Sequence, residues 1–229
     1  MPAGTDFEPK VRIMGIYMRW PLVLALACSA STLKAADAAK ELPPTPPLVM
    51  RDQFGEPHRL SELRGQVIVL VFADRKGAEA SRALGEQLHV FFHPEARGKS
   101  AAEAQAAPVK APADWPEGVE VPNVRLVPVA CIGKVPGPLQ SVVRQQFRRA
   151  VAEGSLWLDM TGALADWTGV TPAVPNVAVL DARGRLRDLQ SGEFTGDRWT
   201  RLTQAIEALQ REAAETVGLA ERPSEGKRR

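Results

Sequence analysis

A run of six apolar residues, Val67 to Phe72 ("VIVLVF"), most constrains what this chain can fold into. The run lacks the alternation of apolar and polar residues that marks a strand with one face in water. It therefore predicts a strand that is covered on both faces. A polar turn follows, and apolar residues then recur at helical spacing, which predicts a helix over 78–92; these residues are Ala80, Leu84, Leu88 and Phe91. A doubly covered strand that leads into an amphipathic helix predicts a layered α/β protein.

The rest of the chain continues this alternation. A second buried strand is predicted over 124–133, where Pro128 suggests an irregularity. The next helix carries one apolar stripe, made of Leu139, Val142, Val143, Phe147, Ala150 and Val151. A short strand ("SLWLD"), a strand–turn–strand unit over 177–190 and a last helix follow, the helix presenting Trp199, Leu202, Ile206, Leu209 and Ala213 on one face. The order β-α-β-α-β-β-α predicts a sheet between layers of helices, and the terminal hairpin makes that sheet mixed.

The N-terminal residues resemble an export signal. Arg19 precedes a short apolar run, Trp20 to Cys28, and small residues follow, so we predict a signal peptide over 1–35 with cleavage near Ala35. Cys28 after "LALA" partly resembles a lipoprotein box and makes lipidation of Cys28 an alternative outcome. Mass spectrometry of the native protein would show either event.

Composition divides the remaining chain. An Ala- and Pro-rich linker is predicted over 36–47, one domain over 48–214, and a disordered basic tail over 215–229. Within the domain, 93–123 is rich in Ala, Pro and Glu and is predicted to be a flexible insertion.

The charge balance argues against nucleic acid as a partner. After residues 1–35 are removed, 25 basic and 25 acidic residues remain, so the body is neutral overall. Nucleic-acid-binding domains usually carry a basic excess.

Several phrases resemble the thioredoxin-like superfamily in its redoxin form. They are "L-x-x-L-R-G-x-V-I-V-L-V-F" and "WLDMTGALADWTGVTPAVPNVAVLDARGRL". A signal peptide, "VPG" over 135–137 and the ending "VLDARGRLRDLQSGEFTGDRWTRL" are similar to the YtfJ-type family of exported bacterial proteins. The resemblance covers about residues 48–211. It implies a thioredoxin-like three-layer α/β/α sandwich with a mixed central sheet and a strand-rich N-terminal extension, and a cis peptide bond between Val174 and Pro175.

The resemblance also places a degenerate active site. Where related proteins carry Cys-x-x-Cys, this chain has Gly77, Ala78, Glu79 and Ala80, flanked by Arg75, Lys76 and Ser81. Thiol–disulfide exchange needs a sulfur nucleophile and a second thiol, so ordinary dithiol activity is predicted to be absent. Backbone N–H groups at the helix start and the basic pair would favour an anion.

Cys131 is the one cysteine of the predicted domain, and two interpretations of it stay open. It ends the second strand at the same sheet edge as Arg75 and Lys76, whose charge would lower the pKa of a partly exposed thiol. Alternatively, Cys131 is a small buried apolar side chain.

The three histidines do not predict a metal site. His89 and His93 have i, i+4 spacing, but they fall on the helix face away from Leu84 and Leu88, which predicts a solvated face. His58 lies in a turn without an evident partner. No metal or cofactor is predicted.

The leading functional hypothesis is a non-catalytic module of the periplasm. The degenerate edge, with the backbone at Val174 and Pro175, would bind a peptide or a periplasmic protein by strand pairing. The alternatives are a one-cysteine thiol oxidoreductase or peroxidase that uses Cys131, and a membrane-tethered periplasmic scaffold. Membrane contact is expected only through the signal peptide or a lipid anchor.

Overall fold

The computed structural model of the chain describes residues 42–99, 103–104 and 106–220, with side chains described as far as 215. The predicted signal peptide and Cys28 lie outside these residues. Residues 42–47 have no regular secondary structure, and Leu42 packs against the core.

The predicted alternation of strands and helices is present. The strands are β1 (Val49–Asp52), β2 (Pro57–Arg59), β3 (Val67–Ala73), β4 (Val124–Cys131), β5 (Trp157–Asp159), β6 (Asn176–Leu180) and β7 (Leu186–Ser191). The helices are α1 (Ala78–Phe92), α2 (Gly137–Ala150), α3 (Ala163–Thr168) and α4 (Asp197–Ala220), and short 3-10 turns cover Leu60–Leu63 and Pro94–Ala96. Of the helices in the described part of the chain, none is long and apolar enough to cross a membrane.

The strands form one mixed sheet in the order β2-β1-β5-β4-β3-β6-β7. Strand β3 pairs in parallel with β4, and β4 with β5, whereas β6, β7, β1 and β2 join the sheet antiparallel. The unit β3-α1-β4 followed by the antiparallel β6–β7 pair and α4 is the thioredoxin-like arrangement. The predicted fold class is therefore confirmed, including the strand-rich N-terminal extension, which supplies β1 and β2.

Strand β3 divides the core into two halves. Val67, Val69 and Val71 face α1 and α4, whose buried side chains are Leu84, Leu88, Phe92, Leu202, Ile206 and Leu209. The alternate residues Ile68, Leu70 and Phe72 face the other half, which contains Leu48, Met50, Leu60, Trp157 and Leu164. The sheet is thus covered on both faces, as its uninterrupted apolar sequence predicts.

Strand β4 is regular through its proline, so the predicted irregularity is wrong. Val71 stands opposite Pro128 in an unbroken parallel register. On the other side, β5 pairs with β4 only from Val129 onward. Pro128 therefore precedes the part of β4 that pairs with β5.

Helix α2 departs most from the prediction. Its apolar stripe exists, but no residue of the helix is buried, and Leu139 and Val142 are 54% and 50% exposed. The helix is anchored instead at the turn between β1 and β2, where Arg148 donates a hydrogen bond to the carbonyl oxygen of Phe54. Periodicity shows that a stripe exists, but it does not show what packs against it.

Residues 93–123 are tied to the body at several points. The ring nitrogens of His93 lie 3.0 Å and 2.9 Å from the carbonyl oxygens of Ala107 and Val124, and the side chain is buried. Lys110 donates its backbone N–H to Phe92, and Gln210 donates to Pro122. These contacts argue against a wholly mobile insertion. Likewise, α4 continues to Ala220, into the segment predicted as a disordered tail.

The prediction that His89 and His93 lie on a solvated helix face is also wrong. His93 is buried, and the ring of half-buried His89 stacks on it at 4.9 Å between centroids. Burial and the nearby His93 lower the pKa of His89. Because both ring nitrogens of His93 face carbonyl oxygens, they are not free to bind a metal. His58 has a partner after all: it lies 3.0 Å from Asp52 and stacks on Trp157.

A matched pair of leucine substitutions tests this division between packed and unpacked helices. Leu88→Ala on α1 removes a fully buried side chain and is expected to lower the free energy of unfolding by about 2–5 kcal/mol. Leu139→Ala on α2 is expected to change it by less than about 0.5 kcal/mol. Urea denaturation measures both values. Equal, large losses would show that α2 packs against the core in solution.

Candidate functional site

The candidate site lies where β3, β4 and β5 end. The carboxyl ends of these parallel strands share one edge of the sheet, which carries the loop from Asp74 to Gly77, Cys131, and the residues after Asp159. The 171–175 loop meets this edge, because Asp74 donates its backbone N–H to the carbonyl oxygen of Pro172 at 2.6 Å. The topology therefore brings the sequence-predicted site residues to one edge.

The start of α1 occupies the place of the missing sulfurs. The helix begins at Ala78, with Gly77 as the residue before it. Arg75, Lys76, Ala78, Glu79 and Ala80 are exposed, whereas Ser81 is buried in the helix. The prediction that Ala80 faces the core is wrong, and Ser81 takes that position one residue later.

Gly77 is packed too closely to accept any side chain without movement. A Cβ atom placed on Gly77 would lie 2.9 Å from the Cβ of Ala73 and 2.9 Å from the carbonyl carbon of Val174. Real Cβ atoms essentially never approach other heavy atoms this closely. The loop is thus adapted to glycine where the resemblance implies a cysteine in related proteins.

Asp74 was missed by the sequence analysis and changes the expected anion site. Its carboxylate accepts the backbone N–H groups of Lys76 at 2.7 Å and of Gly77 at 3.3 Å. An anion at a helix start is favourable, and here the protein supplies its own. The cations of Arg75 and Lys76 still point outward. An aspartate directly after a buried strand and before a helix was the signal that could have identified it.

Asn176 is the second residue that the sequence analysis missed. It is fully buried, and its amide donates to the carbonyl oxygens of Val174 at 2.8 Å, Thr171 at 3.3 Å and Phe72 at 3.4 Å. Its own oxygen accepts the hydroxyl of Ser191. One amide thus fixes the 171–174 loop against the end of β3. A polar residue opening an otherwise apolar strand was the available signal.

This bonding limits one predicted mode of binding. Pairing with an extended peptide would use the backbone beside Pro175. The carbonyl oxygen of Val174 already accepts from Asn176, while the Val174 side chain is 41% exposed. The side chain is therefore better placed than the carbonyl to contact a ligand. The cis geometry of the Val174–Pro175 bond stays a prediction.

Cys131 is half-buried, and its thiol is influenced by two carboxylates and not by the expected basic side chains. Burial raises the pKa of the Cys131 thiol to about 12, and the nearby carboxylates of Asp159 and Asp74 add to this effect. Asp159 is itself buried and accepts the backbone N–H groups of residues 161–164. The thiolate, not the thiol, is the nucleophile, so this environment disfavours reactivity at neutral pH.

An open cleft lies beside these residues, after the ends of β4 and β5. It has a volume of about 420 Å³ and is lined by Lys134, Val135, Pro136, Gln140, Met160 and Thr161. Two hydrogen bonds hold its walls together: Val135 donates its backbone N–H to Met160 at 2.8 Å, and Gln140 donates to Val135 at 3.2 Å. The "VPG" sequence marks one wall. Among the described residues, no cluster of His, Cys, Asp or Glu could hold a metal ion.

Comparisons with known proteins give structural likeness only. No protein-family model matches the chain, and no curated protein matches it. Similar solved structures include an exposed lipoprotein thioredoxin of Streptococcus pneumoniae (16% identity, 70% of this chain and 99% of that chain, TM-score 0.43). A secreted thiol-disulfide isomerase of Corynebacterium glutamicum is also similar (15%, 74% and 84%, TM-score 0.44), as is a thioredoxin-like protein of Porphyromonas gingivalis (18%, 73% and 92%, TM-score 0.45). The fold assignment above depends on strand order and connections, and activity does not follow from fold.

Two glycines, one before α1 and one within it, allow a controlled test of the close packing around Gly77. Gly77→Ala is expected to lower the free energy of unfolding by about 1–3 kcal/mol, because the new methyl group overlaps Ala73 and Val174. The backbone angles of Gly77 (φ −89°, ψ −1°) suit alanine, so any cost comes from packing. Gly85→Ala has nothing within 4 Å and is expected to stabilise by about 0.5–1 kcal/mol. Thermal or urea unfolding compares them, and two stabilising substitutions would refute the close packing.

Burial of Cys131, together with the carboxylates of Asp159 and Asp74, predicts slow alkylation of its thiol. In a Cys28→Ser protein, Cys131 is the one remaining cysteine. With a thiol pKa of about 12, its reaction with iodoacetamide at pH 8 is expected to be at least about 100-fold slower than in the urea-unfolded chain. Because a raised pKa keeps the folded thiol protonated, the rate is expected to keep rising with pH beyond 9. A plateau between pH 7 and 9 would identify a reactive thiolate instead.

Proposed function

We propose that this chain is an exported thioredoxin-like protein that binds an extended peptide, or a protein that presents one, and performs no dithiol exchange. The observation that carries the proposal is the close packing of Gly77 against Val174. It leaves no room for a cysteine side chain at the start of α1, while the exposed residues around it remain available to a partner.

The chemistry of the remaining cysteine supports a binding role. Exchange requires a thiolate and a second thiol that resolves the mixed disulfide. Positions 77–80 supply neither, and burial with two nearby carboxylates raises the pKa of Cys131 to about 12. This environment weighs against the one-cysteine oxidoreductase or peroxidase. The membrane-tethered scaffold depends on Cys28, which lies outside the described residues.

The charge and exposure of the edge indicate the chemistry of the ligand. Arg75 and Lys76 are exposed, and neither forms an ion pair within the part of the chain that the structure describes. Val174 presents an exposed apolar side chain beside them, and Lys134 lines the neighbouring cleft. We infer an extended ligand with both acidic and apolar side chains. Its place of binding would be the periplasm, as the predicted signal peptide implies.

The test uses a fluorescent decapeptide that alternates glutamate and valine, with a lysine–valine decapeptide for comparison. Fluorescence anisotropy is expected to show binding of the acidic peptide alone. Arg75→Glu/Lys76→Glu should weaken that binding by at least about tenfold, because two attractive contacts become repulsive. The stability of the protein should change little, since exposed charges contribute little to it.

The control is Arg183→Glu/Arg201→Glu, which makes the same change of charge at two other exposed positions. It is expected to retain most of the affinity. Equal weakening by both double variants would show attraction to net charge alone, and undiminished binding by the first would place the ligand on another surface. Turnover in an insulin-reduction assay that disappears in Cys131→Ser would favour the enzyme.

A further inference from the structure

The exposed apolar stripe of α2 is unusual within this fold. Helices α1 and α4 bury their apolar residues against the sheet, but α2 buries none. Leu139 and Val142, one turn apart, are both at least half exposed, and Val143 and Phe147 are only partly covered. Helical stability in proteins usually comes from packing such a stripe. The exposed apolar side chains of α2 are therefore available to pack against another molecule.

All charged side chains of α2 are basic. Arg144, Arg148 and Arg149 lie on the helix, and it contains no Asp or Glu. Lys134 in the preceding loop is a further exposed basic residue, and the exposed acidic residues that follow the helix and lie in the β1–β2 turn are Glu153 and Glu56. By contrast, Arg82 on α1 is paired with both Glu79 and Glu86. No ion pair to the three α2 arginines occurs among the described residues.

An exposed aromatic ring lies beside the end of α2. Phe54 is 42% exposed at the tip of the β1–β2 turn, and the guanidinium of Arg148 lies 5.6 Å from its ring centroid. The turn is firmly held, because the carboxylate of Asp52 accepts the backbone N–H groups of Phe54, Gly55 and Glu56 at 2.9–3.0 Å. A rigid turn thus presents an apolar ring next to a cation.

These features fit an anionic lipid surface better than a protein. A second copy of α2 would bring arginines against arginines, which is unfavourable. A stable protein interface usually buries about 800 Å² on each partner, whereas here three separate apolar side chains protrude. Helices that lie in the membrane interface combine a few inserted apolar side chains with a basic polar face and attraction to anionic headgroups.

We propose that α2 is a membrane-surface helix that lies on anionic phospholipid. Leu139, Val142 and Phe54 enter the headgroup region, and the exposed Arg149 contacts lipid phosphates, while Arg148 holds Phe54 in place. This contact is separate from the signal peptide and from Cys28, and separate from the peptide-binding edge proposed above.

The test uses a local probe, because the apolar run at residues 20–28 could itself bind lipid. In the full chain with Cys28→Ser and Cys131→Ser, an environment-sensitive fluorophore is attached through Val142→Cys. A parallel protein carries it through Gln204→Cys, an exposed position on α4. Vesicles contain phosphatidylcholine alone or an equal mixture with phosphatidylglycerol, and brominated lipids serve as quenchers.

The expected result is a blue shift and quenching of the label at position 142 on the anionic vesicles, decreasing as salt is raised. The label at position 204 should respond weakly. Arg149→Gln, which leaves the Arg148 contact intact, should reduce the apparent vesicle affinity at position 142 by about fivefold, whereas Arg201→Gln should leave it within twofold. These results would support the proposal.

Three outcomes would overturn it. One is an unchanged label at position 142 on anionic vesicles. Another is an equal response on phosphatidylcholine alone that does not depend on Arg149. The third is a blue shift without vesicles that grows with protein concentration, which would assign the stripe to a second copy of the chain.

Discussion

Strand β3 is the element on which the rest of the structure depends. It is buried over its whole length and pairs with β4 on one side and β6 on the other. Its alternate side chains reach both halves of the core, and burial of each large apolar side chain contributes roughly 1.5–3 kcal/mol. A polar substitution at any one of these positions would therefore damage the half of the core that its side chain faces. The end of β3 also fixes where the candidate site begins.

The candidate edge follows from how β3 ends. Asp74 caps the polar turn, Gly77 allows the 171–174 loop to approach, and Asn176 holds that loop in place. The Gly77 contact fills the space that a side chain at this position would need. The edge retains exposed cations and an exposed apolar side chain, which the proposed binding role would use. The raised pKa of the Cys131 thiol weighs against covalent chemistry there, since a protonated thiol is a poor nucleophile.

The sequence was sufficient for the fold because its strongest signals are local and periodic. The predicted span of α1 agrees with the structure, and the central strands were placed correctly. The errors concern tertiary contacts that periodicity does not encode. Helix α2 has an apolar stripe but no buried residue. The buried ring of His93 contacts the carbonyl oxygens of residues 14 and 31 positions further along the chain. At the site, the linear order placed Cys131 at the same edge as Arg75 and Lys76 but gave no indication that burial and the carboxylates of Asp159 and Asp74 raise the pKa of its thiol.

Overall neutrality conceals how charge is distributed in this protein. Residues 36–229 contain equal numbers of basic and acidic residues, so this part of the chain has no net basic excess. Yet at the candidate site Asp159 is buried and Asp74 binds backbone N–H groups, whereas Arg75, Lys76 and Glu79 are exposed. Near α2, Asp52 is buried beneath the turn that presents Phe54 beside Arg148. Carboxylates that accept backbone N–H groups thus organise the loops beside exposed cations at two surfaces of this domain. Because exposed charges more than about 8–10 Å apart are screened from one another at physiological salt, these local surfaces, and not the net charge, determine which partners the protein attracts.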